Sequence, residues 1–249
     1  MVVACASRWR GTDARGRCPG GTSAHLSSSL RVTDAASPAV PVPRAVVLPA
    51  AGGTRAVALV LPGGRADSFE LSQARHLAAV RMWPIARALH RAGRADGLAV
   101  WLVRYRYRGW NGEEMSPVAD ARWALDEVRR RHGDVPVVFA GHSMGGRTAL
   151  RVADDDSVRG VVALAPWLFD SEPVEQLAGR RVLIVHGTRD GVTSPRASRR
   201  YADRARAITG DIEYVAIRGE THAMLLRSRT WNRLTTNFVL DVVRTTALD

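Results

Sequence analysis

Short runs of Val, Leu and Ile alternate with longer amphipathic segments from Arg44 onward. The apolar runs are bounded by Gly, Pro or Asp, which is typical of buried β-strands. Strands are predicted over Ala45–Leu48, Ala56–Leu61, Leu98–Arg104, Pro136–Ala140, Val158–Leu164, Arg181–His186 and Ile212–Ile217. The amphipathic segments predict helices over Ala74–Ala92, Val118–Arg131, Ser143–Ala153, Pro195–Ala207 and Thr230–Arg244. This alternation predicts an α/β fold, a mostly parallel twisted sheet of about seven or eight strands with helices on both faces.

Residues 1–43 lack this periodicity and are rich in Ser, Gly, Pro, Ala, Thr and Arg. Such a composition buries too little apolar surface to offset the entropy of ordering. We therefore expect a disordered or loosely ordered tail over residues 1–43, with room for one short strand near Leu30–Val32, and a catalytic domain over residues 44–249. A misassigned start of the chain would account for the tail equally well.

Length and composition exclude several classes of protein. The 249 residues suit one domain with a substantial core. No apolar run approaches the roughly 18 residues that span a bilayer, and no signal peptide is recognisable, so we expect a cytoplasmic protein without a membrane span. Cys5 and Cys18 are the two cysteines, and they provide neither a disulfide framework nor metal-ligand spacing.

The formal net charge is +12, and all basic residues other than histidine are Arg, with no Lys. A charge of this size can indicate a nucleic-acid or membrane-surface binder. The arginines are scattered, however, and acidic residues are interspersed among them. We therefore expect a solvated surface and no nucleic-acid partner.

The candidate nucleophile is Ser143, in the G-x-S-x-G stretch Gly141–Gly145. It follows a valine-rich strand and precedes a helix. In this context the flanking residues are small so that strand and helix can approach, and the serine projects from a sharp turn at the helix N-terminus. The dipole and free N–H groups there favour developing negative charge. The motif by itself is equally compatible with a helix cap in a Gly-rich turn.

A serine hydroxyl needs a base, normally a histidine held by a carboxylate. In an α/β sheet with such a turn, the order along the chain is serine, acid, histidine. Asp190 follows the strand Arg181–His186, and His222 follows the strand Ile212–Ile217, so both lie at the edge of the sheet that carries Ser143. We predict Ser143, Asp190 and His222 as the catalytic residues.

Other histidines and acids compete for these roles. His186, at a strand end, is interpreted as a structural loop residue, and His142 would point away from its neighbour Ser143. Asp170 is the alternative acid, whereas Glu220 is too close to His222 in the sequence to orient its ring. The remaining histidines, on or beside predicted helices, are interpreted as surface residues: His76, His90 and His132.

An oxyanion needs two donors, which are usually backbone N–H groups. Met144, directly after the serine, is one. The loop Pro62–Arg65 follows an early strand, and its glycines tolerate the positive φ that turns an N–H inward. We predict Gly64 as the second donor, with Arg65 as the alternative. A plain Gly-Gly turn is the competing interpretation.

From about residue 45 to the end, roughly four fifths of the chain, the sequence resembles the α/β-hydrolase superfamily. The motifs that carry the resemblance are Gly141–Gly145, His186–Asp190, His222 and Pro62–Gly64. Two positions depart from the family pattern. Many members have His-Gly where this chain has Pro62-Gly63, and many have glycine at the position of Thr221.

The resemblance implies a serine hydrolase that cleaves an ester, thioester or amide bond without metal or organic cofactor. Only Ala165–Gly179 separates two predicted strands where family members often insert a lid, so we expect an open site and an esterase acting on a small acyl substrate. A serine peptidase, an acyltransferase and a non-catalytic binding protein of the same fold are the alternatives. The sequence does not indicate an oligomeric state.

Loops at the catalytic edge also supply candidate pocket residues. Trp167 and Trp110 each follow a predicted strand and could wall the acyl pocket, although packing under a loop is the alternative. Arg65 and Arg108 could bind an acidic substrate group, although arginine is abundant throughout this chain.

Overall fold

Seven strands form a single sheet in the computed structural model, which describes residues 41–246. The strands are β1 (Arg44–Leu48), β2 (Ala56–Leu61), β3 (Leu98–Arg104), β4 (Val137–His142), β5 (Val158–Leu164), β6 (Arg181–Gly187) and β7 (Ile212–Ile217). The helices are α1 (Leu77–Val80), α2 (Trp83–Gly93), α3 (Ser116–His132), α4 (Met144–Arg151), α5 (Pro195–Thr209) and α6 (Ser228–Thr246). The tail predicted over residues 1–43 and its short strand lie almost entirely outside the described residues, and they stay predictions.

The strand order is β1-β3-β2-β4-β5-β6-β7. β1 runs antiparallel to β3 at one edge, and every other neighbouring pair is parallel. The predicted mostly parallel α/β sheet is therefore confirmed. The chain leaves β2 first towards β3 and later crosses to β4 on its other side, so the order reverses at β2. Crevices for ligands form at such a point, outside the carboxyl ends of the strands.

Helices cover both faces of the sheet, and alternate residues of each strand face opposite sides. Val57, Leu59 and Leu61 of β2 belong to the apolar core that also contains residues of α3, α4 and α5. The intervening Ala58 and Val60 belong to the core on the other face, with residues of α2 and α6. All of β2 is buried, which explains why it appears in the sequence as a continuous apolar run. Within residues 41–246 no helix has the length and apolar character needed to cross a bilayer.

The helix predicted over Ala74–Ala92 is wrong as a single element. The structure has the short α1 and then α2, which begins at Trp83, with Pro84 in its first turn. Proline has no N–H for an intrahelical bond and disfavours helical geometry in the residue before it, so a new helix starts here. The break leaves α1 beside the candidate site.

The fourth strand is longer than the predicted Pro136–Ala140 and continues through His142. Its last residues pair with β5, with His142 opposite Leu164. The strand therefore leads directly to Ser143, and α4 follows without an intervening loop.

Candidate active site

Ser143 occupies a strained turn between β4 and α4, with φ 56° and ψ −117°. A non-glycine residue in this region costs free energy and persists only where its surroundings enforce it. Small neighbours make the turn possible. A Cβ on Gly141 would collide with the carbonyl of Gly145, and a Cβ on Gly145 would collide with the carbonyl oxygen of Leu61. The motif thus reflects backbone contact on both sides of the serine.

Backbone hydrogen bonds fix Ser143 to neighbouring segments. Its N–H donates to the carbonyl of Leu164 at 2.9 Å, and its own carbonyl accepts from the N–H of Trp167 at 3.1 Å. The end of β5 and the loop that follows it therefore hold the turn. The serine itself is only 9% exposed.

The structure brings Asp190 and His222 together from the loops after β6 and β7. His222 Nδ1 lies 2.7 Å from Asp190 Oδ2. The other oxygen, Oδ1, accepts from the backbone N–H groups of Val192 at 2.8 Å and Thr193 at 2.9 Å. Because Nδ1 faces the carboxylate, Nε2 is the nitrogen of His222 that is left for proton exchange.

The side chain of Asp190 is buried, and its surroundings favour the ionised form. Burial raises the pKa of this carboxyl, but hydrogen bonds from His186, His222 and the backbone of Thr193 and Val192 outweigh that effect and hold the pKa well below its usual range. A carboxylate with several donors is strongly favoured over its protonated form.

His186 is not the loop residue that the sequence suggested. It lies in β6, is fully buried, and its Nε2 is 3.1 Å from Asp190 Oδ2. Its Nδ1 is 2.9 Å from the hydroxyl of Ser198. The same oxygen of Asp190 also accepts from the hydroxyl of Thr193 at 2.9 Å. In the sequence, the contact between His186 and Asp190 is indicated only by their separation of four residues.

His142 connects His222 to the serine turn. The rings of His142 and His222 have centroids 4.6 Å apart, and His142 Nε2 is 3.0 Å from the carbonyl oxygen of His222. Burial, followed by the nearby charges of His222 and Arg81, lowers the pKa of His142 to about 3. A neutral His142 can therefore donate Nε2–H to that carbonyl and fasten the His222 loop beside Ser143.

The predicted oxyanion loop lies against the serine. A Cβ on Gly63 would be 3.3 Å from the Cβ of Ser143, and Gly64 packs against the side chain of Met144. The N–H of Arg65 donates to the carbonyl of Arg108 at 2.8 Å, so the alternative donor is already engaged. Met144 is the first residue of α4, and its N–H has no acceptor within that helix.

The two predicted pocket tryptophans surround an arginine of α4. The guanidinium of Arg147 lies 3.8 Å from the ring centroid of Trp110 and 4.9 Å from that of Trp167. It also pairs with Glu172 at 2.5 Å. Trp110 is 4% exposed, and neither tryptophan lines the two cavities described below. The contacts of both rings are those of packing, so a role in substrate binding stays a prediction.

The rival acids have other partners. Asp170 is exposed and pairs with Arg200 at 2.8 Å. Glu220 is fully buried and accepts from the N–H of Arg227 at 2.7 Å and from Trp231 Nε1 at 3.1 Å. Glu220 therefore orders the loop that carries His222, a role that sequence reasoning missed.

The rival histidines contact other parts of the fold. His90 Nε2 is 2.9 Å from the carbonyl of Pro49, and His132 packs edge-on against Trp101. His76 precedes α1. Within residues 41–246, no three His, Cys, Asp or Glu side chains are grouped in a way that could hold a metal ion.

Two cavities flank α1 beside the candidate site, and Leu77 lines both. One, of about 490 Å³, is bounded by the oxyanion loop Pro62–Arg65. The other, of about 370 Å³, is mainly apolar and is bounded by residues that follow His222, among them Met224.

Residues 121–226 match the family model described as "Alpha/beta hydrolase family". The match spans the serine turn and the loops of Asp190 and His222. Solved α/β-hydrolase structures share the fold, one with a TM-score of 0.60 over 78% of this chain. This chain therefore has the α/β-hydrolase fold, and its residues 121–226 are similar to that family. No curated protein matches the sequence.

Several solved α/β-hydrolase structures are similar to this chain. The structure of Est1E from Butyrivibrio proteoclasticus with ferulic acid bound shares 16% identity, with a TM-score of 0.61 over 81% of this chain and 96% of that one. A monoacylglycerol lipase from Paleococcus ferrophilus shares 17%, with a TM-score of 0.59 over 80% and 99%. An α/β serine hydrolase without a lid from Xanthomonas campestris shares 17%, with a TM-score of 0.57 over 80% and 88%. At these identities the likeness shows the fold alone.

Proposed function

We propose that this chain is a serine hydrolase, and specifically a carboxylesterase for small acyl substrates. One observation carries the proposal: Asp190 binds Nδ1 of His222, and the backbone of His222 is fastened to His142, the residue next to the strained Ser143. These contacts support a nucleophile, a base and an orienting acid at the carboxyl edge of one sheet.

In the first step, the Oγ of Ser143 attacks the ester carbonyl while Nε2 of His222 takes its proton. Asp190 remains ionised, holds the imidazole in the tautomer with Nδ1–H, and stabilises the imidazolium that forms. The low pKa of Asp190 supports this role, because the carboxylate stays charged throughout the working pH range.

The N–H groups of Met144 and Gly64 donate hydrogen bonds to the carbonyl oxygen and stabilise the negative charge that develops on it. Protonated His222 then donates its proton to the leaving alcohol. Water, activated by the same histidine, releases the acyl group from Ser143. Fixed donors of this kind are worth about 3–4 kcal/mol each in the transition state.

The short connection between β5 and β6 favours a small ester over a larger substrate. Between β5 and β6 the chain forms only a short helical turn, Glu175–Leu177, and no lid domain. The names of two proteins with a similar fold agree with an ester substrate. One is a monoacylglycerol lipase, and the other binds ferulic acid, a carboxylic acid such as ester hydrolysis releases. A peptidase or acyltransferase would use the same three residues, and a panel with amides and acyl acceptors separates these activities.

Turnover of para-nitrophenyl acetate, butyrate and hexanoate by the wild type and by Ser143→Ala tests the proposal. The alanine variant loses at least about a thousandfold in kcat, because removal of the nucleophile leaves only binding and the oxyanion donors. Ser157→Ala is the matched control, since Ser157 precedes β5 at the opposite end of the strands. Full activity in Ser143→Ala, or no turnover by the wild type, would refute the proposal.

A further inference from the structure

The cavity beside the oxyanion loop has several cationic side chains in its wall. Arg65, Arg75 and Arg108 all contribute to its wall, together with His76. Among the described residues that line the second cavity, on the His222 side of α1, Arg81 is the only charged one, and the others are mainly Leu, Val, Ile, Met and Trp. The two cavities on either side of α1 therefore differ in the number of cationic side chains in their walls.

The positive charge of this cavity is only partly neutralised. Arg108 pairs with Glu70, whereas within residues 41–246 no salt bridge includes Arg65 or Arg75. Burial, and then the positive charges of Arg108, Arg75 and Arg65, lower the pKa of His76 against the opposing charge of Glu70. The guanidinium groups therefore act together on the same space.

Backbone hydrogen bonds hold the segments that carry Arg65 and Arg108. Arg65 N–H donates to the carbonyl of Arg108 at 2.8 Å, and the N–H of Arg108 donates to the carbonyl of Glu70 at 3.0 Å. A further bond, 3.0 Å long, runs from the N–H of Trp110 to the carbonyl of Arg65. These bonds fix Arg65 and Arg108 on adjacent segments at the rim of the cavity.

The cavity borders the reacting centre. Gly63 and Gly64 form part of its wall, and a Cβ on Gly63 would lie 3.3 Å from the Cβ of Ser143. A substrate whose carbonyl lies at Ser143 can therefore extend a chain past the oxyanion loop towards Arg65 and Arg75.

We propose that this cavity binds the carboxylate of an ester substrate, so that the enzyme prefers esters with a negative charge over neutral esters of equal size. Planar guanidinium groups match a carboxylate in geometry as well as charge. This inference rests on the proposed hydrolase activity and adds the substrate class to it.

The test compares para-nitrophenyl hexanoate with the para-nitrophenyl monoester of adipic acid, which has the same carbon count and leaving group. A second pair, para-carboxyphenyl and para-carbamoylphenyl hexanoate, places the charge on the alcohol side. The double variant Arg65→Gln/Arg75→Gln lowers the ratio of charged to neutral kcat/KM about tenfold in one of the pairs, as expected for two partly exposed charge contacts. Arg233→Gln, an exposed arginine of α6 outside the cavity, leaves both ratios unchanged.

Ionic strength gives a second measurement that needs no variant. In the wild type, raising the salt to about 1 M, where charges are screened beyond roughly 3 Å, reduces the preference for the charged ester. If the hexanoate ester is hydrolysed but neither ratio responds to the double variant or to salt, the carboxylate site is refuted and the hydrolase proposal stands. If the wild type hydrolyses neither ester and no probe modifies Ser143, both proposals fall.

Discussion

Asp190 has two histidine partners, and the difference between them decides which one can act as a base. Both rings approach Oδ2, yet the side chain of His186 is fully buried whereas that of His222 is 13% exposed. Only His222 can therefore meet a substrate. His186 instead holds Oδ2 of Asp190 from the side of β6, and Ser198 holds His186 in turn.

Replacing His186 tests this support. His186→Leu removes a donor from a buried carboxylate, and a hydrogen bond to a charged group is worth about 1.5–3 kcal/mol. We expect kcat/KM for para-nitrophenyl butyrate to fall about tenfold or more as Asp190 loses its fixed orientation.

His186→Gln is the matched variant, because its amide nitrogen can reach the position of Nε2. It should restore most of the activity that His186→Leu loses. Equal activity in His186→Leu and the wild type would show that this histidine does not support the acid.

The turn between β4 and α4 depends on two glycines as much as on the serine. Gly141→Ala places a methyl group against the carbonyl of Gly145. The backbone must shift, at a cost of about 1–3 kcal/mol in the free energy of unfolding. A displaced Ser143 should lower kcat about a hundredfold.

Gly53→Ala is the control for that variant, because a Cβ there meets no atom within 4 Å. Chemical denaturation and ester turnover measure the two effects. A Gly141→Ala variant with normal stability and turnover would mean that the turn is looser than its contacts indicate.

The strands of the sheet could be predicted from the sequence, because buried parallel strands appear as continuous apolar runs. All seven predicted strands are present, four of them with the predicted bounds and three with ends shifted by one or two residues. The one failure, the helix over Ala74–Ala92, arose because an apolar period does not reveal a break before Pro84.

The contacts of the candidate site were harder to predict from the sequence than the fold. Strand ends located Ser143, Asp190 and His222, since strands of a parallel sheet share an edge. The partners of buried polar groups could not be located, because hydrogen bonds such as those of His142 and Glu220 join residues distant in sequence. The packing of Trp110 and Trp167 around Arg147 was hidden for the same reason.

The folded chain as a whole should lose stability in mild acid because it holds His142 neutral. The pKa of His142 falls to about 3, below the ordinary histidine value of about 6.5. Between these values the unfolded chain binds a proton that the folded chain does not, so stability decreases as the pH falls.

The contribution of this one residue between pH 7 and pH 5 is about 2 kcal/mol. His142→Gln keeps a donor for the carbonyl of His222 but does not titrate. Its free energy of unfolding, measured with urea at both pH values, should therefore fall by about 2 kcal/mol less than that of the wild type. Parallel losses in the two proteins would mean that His142 is protonated in the fold.

Covalent labelling addresses the proposed nucleophile directly. The wild type, treated with a fluorophosphonate at neutral pH and digested, should carry the adduct on the peptide that contains Ser143, with loss of esterase activity in the same proportion. Ser143→Ala should remain unlabelled, and His222→Gln should be labelled far more slowly, because the serine then lacks its base. An adduct on another residue, or labelling at equal rates in all three proteins, would contradict the assignment of Ser143 as the nucleophile.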